Sequence, residues 1–227
     1  MNIGLVILSY DYRVVGMNAY AKRILGTAMP DLGSTVFKYH PRKSHQKIEA
    51  LLQGAHACDA EMPVAMIIDV LNKVLMINVC KIEMEAELNE PLFAMTFMDV
   101  TEQTGAKLNP GTGIVELKKF PVCDRGEFLF LDMSSIYFIR SDGNYCKVFT
   151  KSSSYYLHLS LKTILKRYAG SKFFRVHKSF IVNIEHIHKI HRDAKGQTFI
   201  IFDRGNLPDI PVARRRVGDL KETLLPA

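Results

Sequence analysis

From Phe173 to Ile187 the chain alternates apolar residues with cationic and polar ones, and this stretch restricts its half of the molecule most. A strand here buries Phe174 and Val176 and leaves Arg175, His177 and Lys178 near an exposed loop. Val182, Ile184 and Ile187 then resume the apolar rhythm with the period of β structure. Taken by itself, the pattern is a strand, a loop and a second strand with solvated charges.

Charge gives that loop a context. The 227 residues suit two small domains, and the formal charge of +7 divides unevenly between them. Residues 1–105 hold 9 Lys/Arg against 12 Asp/Glu, whereas residues 106–227 hold 21 against 11. A mildly acidic half thus precedes a strongly basic one, and a basic half suits a polyanion such as nucleic acid. Three glycines and a proline fall within Gly105-Ala106-Lys107-Leu108-Asn109-Pro110-Gly111-Thr112-Gly113, the composition of a linker. The expected division is therefore a domain over 1–104, a linker over 105–116 and a second domain over 117–227.

No apolar run approaches the roughly 20 residues needed to cross a bilayer. The first ten residues lack a cationic region and a small-residue cleavage site, and are expected as a strand rather than a signal peptide. Cys58, Cys80, Cys123 and Cys146 lie far apart, which favours reduced thiols and a cytoplasmic protein.

In the first half, residues 3–9 and 14–18 read as strands and residues 18–25 as a short helix stopped by Gly26. Residues 41–53 read as a second helix, with Pro41 at its first position and Ile48, Leu51 and Leu52 on its apolar face. Three β runs follow at 64–70, 74–82 and 92–99. This order resembles a PAS domain, as do the opening Gly4-Leu5-Val6-Ile7-Leu8-Ser9 and the close Phe97-Met98-Asp99-Val100-Thr101-Glu102. The resemblance implies an antiparallel sheet with flanking helices that houses a ligand or pairs two copies of the chain.

His40 stands at the start of the second helix, and Met66 shares a strand face with Val64, Ile68 and Val70. An imidazole and a thioether directed into one apolar pocket are a ligand set that haem iron can use. Taken singly, a histidine before a helix is also a cap, and a methionine in a strand is also core filler. His40-Pro41-Arg42-Lys43-Ser44, Pro63-Val64-Ala65-Met66-Ile67-Ile68 and Val74-Leu75-Met76-Ile77-Asn78-Val79 together resemble the sensor of the RcoM family, in which a PAS domain precedes a LytTR domain. That resemblance implies haem b as cofactor, with His40 as proximal ligand, Met66 as the ligand that CO displaces, and Cys58 as a ferric-state thiolate ligand. The alternative is a PAS domain without haem that takes another ligand or a protein partner. No Asn-Cys-Arg-Phe-Leu-Gln-like helix of a flavin photosensor surrounds Cys58, and Asp11, Asp31 and Asp69 do not form the acidic pattern of a receiver domain.

In the second half, residues 120–123, 127–132, 136–141 and 147–150 are short β runs parted by turn chemistry. Ser160 caps a helix whose Leu161, Ile164, Leu165 and Tyr168 fall on one face, and Gly170 ends it. Strands over 187–191 and 198–202 and a last helix with Val217, Leu220 and Leu224 inward complete a mostly-β unit, so the whole chain is expected to be α+β. The run Phe173-Phe174-Arg175-Val176-His177-Lys178-Ser179-Phe180-Ile181-Val182-Asn183-Ile184 resembles the signature of LytTR-type DNA-binding domains, in which loops rather than a recognition helix enter the grooves. The resemblance places Asn144 and Tyr145 in one contact loop, Lys178 in a second and Arg214 in a third, with Tyr145, Lys178 and Arg214 at base-reading positions. Arg175, Arg215 and Arg216 are then expected to hold phosphates.

His186, His188 and His191 lack a fourth ligand at zinc spacing and read as surface histidines. No Ser/His/Asp, Cys/His or paired-carboxylate spacing suggests catalysis. The expectation is a CO-responsive, homodimeric transcription activator that binds repeated promoter sites on double-stranded DNA, is not an enzyme and makes no membrane contact.

Overall fold

The structure is a computed structural model that describes residues 3–26, 30–40, 42–54, 64–68, 72–83, 90–124, 127–143, 145–157, 159–168, 172–203 and 206–224. Pro41, Cys58, Pro63, Asp69, Val70, Asn144 and Gly170, singled out above, lie outside these residues. The chain divides into two units, Met1–Glu102 and Gln103–Ala227.

The first unit begins with β1 (Gly4–Leu8) and β2 (Val14–Met17), followed by α1 (Ala19–Leu25) and α2 (Arg42–Gly54). It ends with β3 (Val64–Ile68), β4 (Lys73–Ile82) and β5 (Leu92–Asp99). The five strands form one antiparallel sheet in the order β2-β1-β5-β4-β3, the PAS arrangement expected from the sequence. Alternation in β1 buries Val6 and Leu8, which join Leu75, Ile77, Phe93 and Phe97 in a core closed by Ile48 and Leu52 of α2. Asn18 caps α1 by accepting the Ala21 N–H at 2.8 Å, and the same oxygen accepts the Leu5 N–H of β1 at 3.2 Å. Among the described residues no helix is long and apolar enough to cross a membrane.

The second unit opens with β6 (Lys107–Asn109) and β7 (Ile114–Glu116), an antiparallel hairpin lying where a linker was expected. The glycines and proline between the strands serve a turn: the Asn109 side chain accepts the Gly111 N–H at 2.9 Å and turns the chain back on itself. The turn residues read as linker because turns and linkers share a composition. Next come the paired β8 (Lys119–Asp124) and β9 (Glu127–Asp132). β10 (Ile136–Asp142), β11 (Tyr145–Thr150), β12 (Ser154–Leu157), α3 (Leu161–Arg167), β13 (Phe173–His177) and β14 (Phe180–Asn183) follow. Last are β15 (Ile187–Arg192), β16 (Thr198–Phe202), β17 (Ile210–Val212) and α4 (Val217–Leu224).

One sheet of this unit runs β12-β11-β10-β14-β13 and another β15-β16-β17. Between them Tyr137, Phe138, Val176, Val182, Ile200, Phe202, Ile210 and Val212 form a core sealed by Leu220 of α4. Ser160 caps α3 as its sequence position predicts, accepting the Thr163 N–H at 3.1 Å. α3 buries Tyr168 flat against Phe120, ring centroids 3.8 Å apart. The Arg167 guanidinium donates to the Val115 carbonyl at 3.1 Å, and the Leu117 N–H donates to the Arg167 carbonyl at 2.8 Å, which fastens the β6–β7 hairpin to α3.

Candidate functional site

His40 follows a 3-10 turn, Val36–Tyr39, which the first unit fixes from several sides. The Val36 N–H donates to the Tyr12 carbonyl at 2.9 Å, and the Val36 side chain is buried. The Tyr39 hydroxyl accepts the Asp31 N–H at 2.8 Å and donates to the Asp31 carboxylate at 2.9 Å. Lys38 also donates to that carboxylate, at 3.0 Å. These hydrogen bonds, from Lys38 first and Tyr39 second, hold the Asp31 carboxyl below the usual carboxylate range.

His40 is then held at three points. Its N–H donates to the Phe37 carbonyl at 3.2 Å, its Nδ1 lies 2.9 Å from the Val36 carbonyl oxygen, and its own carbonyl lies 2.9 Å from Nε2 of His45. A carbonyl oxygen accepts only, so His40 Nδ1 carries the proton and, in the neutral ring, Nε2 carries the lone pair. This is the tautomer that metal ligation through Nε2 requires, with the other nitrogen bonded to a backbone carbonyl. His45 has the opposite arrangement, its Nε2–H being committed to His40, and its ring lies 5.2 Å from that of Phe37. The residues present therefore fit an iron ligand at His40 Nε2.

Met66 lies in β3, paired with Leu75 of β4, and Leu75 pairs on its other side with Asp99 of β5. The Met66 side chain, like Cys58, lies outside what is described. At the end of this row Asp99 binds Lys73 at 2.6 Å and accepts the Thr101 N–H at 3.1 Å. The Thr101 hydroxyl accepts the Val74 N–H at 3.0 Å, and the Val100 N–H donates to the Val74 carbonyl at 2.8 Å. Burial raises the Asp99 carboxyl, but the hydrogen bonds from Lys73 and Thr101 outweigh it and leave the group lowered. The start of β4 is thereby tied to the last residues of the unit.

In the second unit backbone hydrogen bonds bring the three expected contact loops together. Tyr145 is exposed at the β10–β11 turn, paired with Asp142 and edge-on to Tyr156 at 6.2 Å. The Ser141 N–H donates to the Ser179 carbonyl at 2.9 Å, setting that turn beside the β13–β14 turn that carries Lys178. The Ala213 N–H donates to the Val176 carbonyl at 2.8 Å, setting the Arg214 segment beside the other flank of β13. Lys178, Arg214 and Arg215 are exposed, and an open hollow is lined by Arg175, His177, Lys178, Arg215 and Arg216.

Not every cation here reaches outward. Arg175 donates through Nη2 to the Lys178 carbonyl at 2.8 Å and clamps the turn. Arg216 donates through Nε to the Arg175 carbonyl at 2.9 Å, pairs with Asp219, and lies with its guanidinium 4.7 Å above the Phe174 ring. Both residues, expected at phosphates, also shape the loops that carry Lys178 and Arg214.

His177 contributes more than the sequence reading gave it. Its Nδ1 accepts the Ser179 N–H at 3.2 Å, so in the neutral ring Nε2–H is a donor beside Lys178. The signal was its place two residues before the small residue it caps. His186 is structural: Nε2 donates to the Ser134 carbonyl at 2.6 Å and the ring stacks on Tyr137 at 4.1 Å. His188 and His191 are exposed.

Residues 126–225 match the family model of the LytTr DNA-binding domain. Over 98% of its length the chain is 31% identical to the Heme-containing CO-sensing transcriptional regulator RcoM 1 of Paraburkholderia xenovorans, covering 89% of that protein. It is 30% identical to RcoM 2 of the same organism with the same coverage. To the CO-responsive transcriptional regulator RcoM of Rhodospirillum rubrum it is 24% identical, covering 97% of this chain and 94% of that one.

Proposed function

This chain belongs to the RcoM family of CO-sensing transcriptional regulators, and we propose that its first unit holds a b-type haem through which CO controls promoter binding by the second. The observation that carries this reading is the His40 tautomer, which leaves Nε2 as the lone pair for a proximal bond. Haem supplies an iron that takes a diatomic gas.

The residues divide the remaining work. His40, bonded at its N–H, ring and carbonyl, is the ligand that stays. Met66, a neutral thioether on the edge strand of the sheet, would be the ligand that CO replaces, and Cys58 would serve the ferric state. Releasing Met66 frees β3, whose row runs through Leu75 to Asp99 and so to the Thr101 contacts that close the unit. CO biases DNA binding to the extent that it binds the released arrangement better than the tethered one. In the second unit Tyr145, Lys178 and Arg214 reach base edges at repeated promoter sites, Asn144 belongs to the Tyr145 contact loop, and Arg215 with His177 reaches phosphates. The protein acts as a cytoplasmic homodimer, activates genes for CO use and catalyses no reaction.

The test is an absorption spectrum of the purified full chain in ferric, ferrous and CO-bound forms, with DNA affinity measured beside it. A Soret band is expected, together with a CO-dependent change in affinity. Met66→Leu keeps the volume, removes the ligand, and is expected to bring DNA binding towards the CO-bound level without gas. A Met66→Leu protein with the wild-type ferrous spectrum and full CO control removes Met66 from the switch. A chain with no Soret band removes haem altogether.

A further inference from the structure

The row of DNA-facing loops does not end at Arg214. The Tyr145 hairpin joins the Lys178 turn through Ser141 and Ser179, and that turn joins the Arg214 segment through Val176 and Ala213. The next bond continues the series. Gln197 Nε2 donates to the Val212 carbonyl at 2.9 Å, and Val212 pairs with Thr198, so the β15–β16 turn lies alongside the Arg214 segment.

This turn is built firmly. One oxygen of the Asp193 carboxylate accepts the N–H groups of Lys195 at 3.0 Å and Gln197 at 2.8 Å. The Gly196 N–H donates to the Asp193 carbonyl at 3.0 Å, and Gly196 takes φ +80°, a conformation other residues adopt at a cost. Arg192 Nε donates to the Gly196 carbonyl at 3.1 Å. Asp193 thus uses its charge on the turn's own backbone, while Lys195 and Arg192 are exposed.

We propose that the β15–β16 turn is a fourth DNA contact, in which Lys195 donates to a backbone phosphate flanking the bases reached by Arg214. The proposal rests on the DNA-binding reading of the second unit. A lysine ammonium is a point charge on a flexible stem that meets a phosphate without a fixed geometry. Arg192, already bonded within the turn, adds to the local positive field.

Salt dependence is the direct test. With the full chain held in one haem and gas state, affinity for a specific duplex is measured across a salt series for wild type, Lys195→Ala, Lys178→Ala and Arg214→Ala. Loss of one phosphate contact is expected to reduce the slope of log K against log salt by about 0.9, with preference among single-base variants unchanged. Arg214→Ala is expected to relax that preference instead. Lys195 is exposed, so its removal leaves the fold in place, which an unchanged melting temperature verifies. A wild-type slope in Lys195→Ala overturns the proposal, and so does altered base preference in that variant. In either case an effect of Arg214→Ala leaves the DNA-binding reading standing. Silence from both Arg214→Ala and Lys178→Ala brings down the contact row and the fourth loop together.

Discussion

His45 holds His40 by the backbone: Nε2 of His45 lies 2.9 Å from the His40 carbonyl oxygen. The bond spans the entry of α2 and ties that helix to the turn bearing the proposed iron ligand. His45 is thus a support for His40 rather than a second ligand. His40→Ala is expected to lose haem or change its spectrum in every oxidation state. His45→Ala is expected to keep haem but release it faster, by about 10-fold if it behaves as supporting bonds to metal ligands do. Transfer to an apoglobin acceptor measures the rate. Gln at position 45, whose amide can also donate, is expected to recover part of the loss. Identical release rates for wild type and His45→Ala remove His45 from this role.

Asp99 makes the first unit sensitive to acid. Its carboxyl sits below the ordinary aspartate value of 3.8 because the hydrogen bonds from Lys73 and Thr101 outweigh burial. The folded group therefore holds its charge to lower pH than the unfolded one. Its contribution is fully present above about pH 4 and is lost as pH falls through the lowered folded value. Asp99→Asn is expected to cost roughly 1–3 kcal/mol near neutrality and to flatten the stability profile in that acid range. Because Asp99 ends the row from Met66, the same change is expected to weaken CO control of DNA binding while leaving the CO-bound spectrum intact. Undiminished control in Asp99→Asn takes this row out of the signal path.

Local pattern made the strands legible. Alternation in β1 and the cap at Ser160 are visible because each depends on residues within a few positions. What stayed hidden depends on distant segments meeting. Arg216 is one of three like residues in a row until Phe174, the Arg175 carbonyl and Asp219 surround it. The β6–β7 hairpin is a glycine-rich stretch until Arg167 reaches it from α3. The contact loops fall between, since their cations are plain in sequence while their order rests on Ser141–Ser179 and Ala213–Val176 bonds.

Gly4 admits the Phe97 ring at the edge of the first core. The two residues pair across β1 and β5, and a Cβ at Gly4 would overlap three atoms of the ring. Phe97 is fully buried and has little room to retreat. Gly4→Ala is expected to destabilise the first unit by about 1–3 kcal/mol through overpacking, measured by urea unfolding followed in that unit. Wild-type stability in this variant indicates that Phe97 has a second place to go.

Arg214 and Arg216 stand two residues apart and are expected to fail in different ways. Arg214 is exposed, so Arg214→Ala is expected to hold the melting free energy within about 0.5 kcal/mol. Its loss falls on specific DNA binding, about 1–3 kcal/mol if it reads a base edge. Arg216 joins the Phe174 ring, the Arg175 carbonyl and Asp219, so Arg216→Ala is expected to cost about 1–3 kcal/mol of stability. It also loosens Arg175 and with it the Lys178 turn, so DNA affinity falls as a consequence. Lysine at 216 cannot span the three contacts with one ammonium and is expected to recover little. Thermal unfolding and DNA titration of the same samples separate these outcomes. If Arg216→Ala melts as wild type does and loses about 0.9 from the salt slope, Arg216 belongs at a phosphate after all.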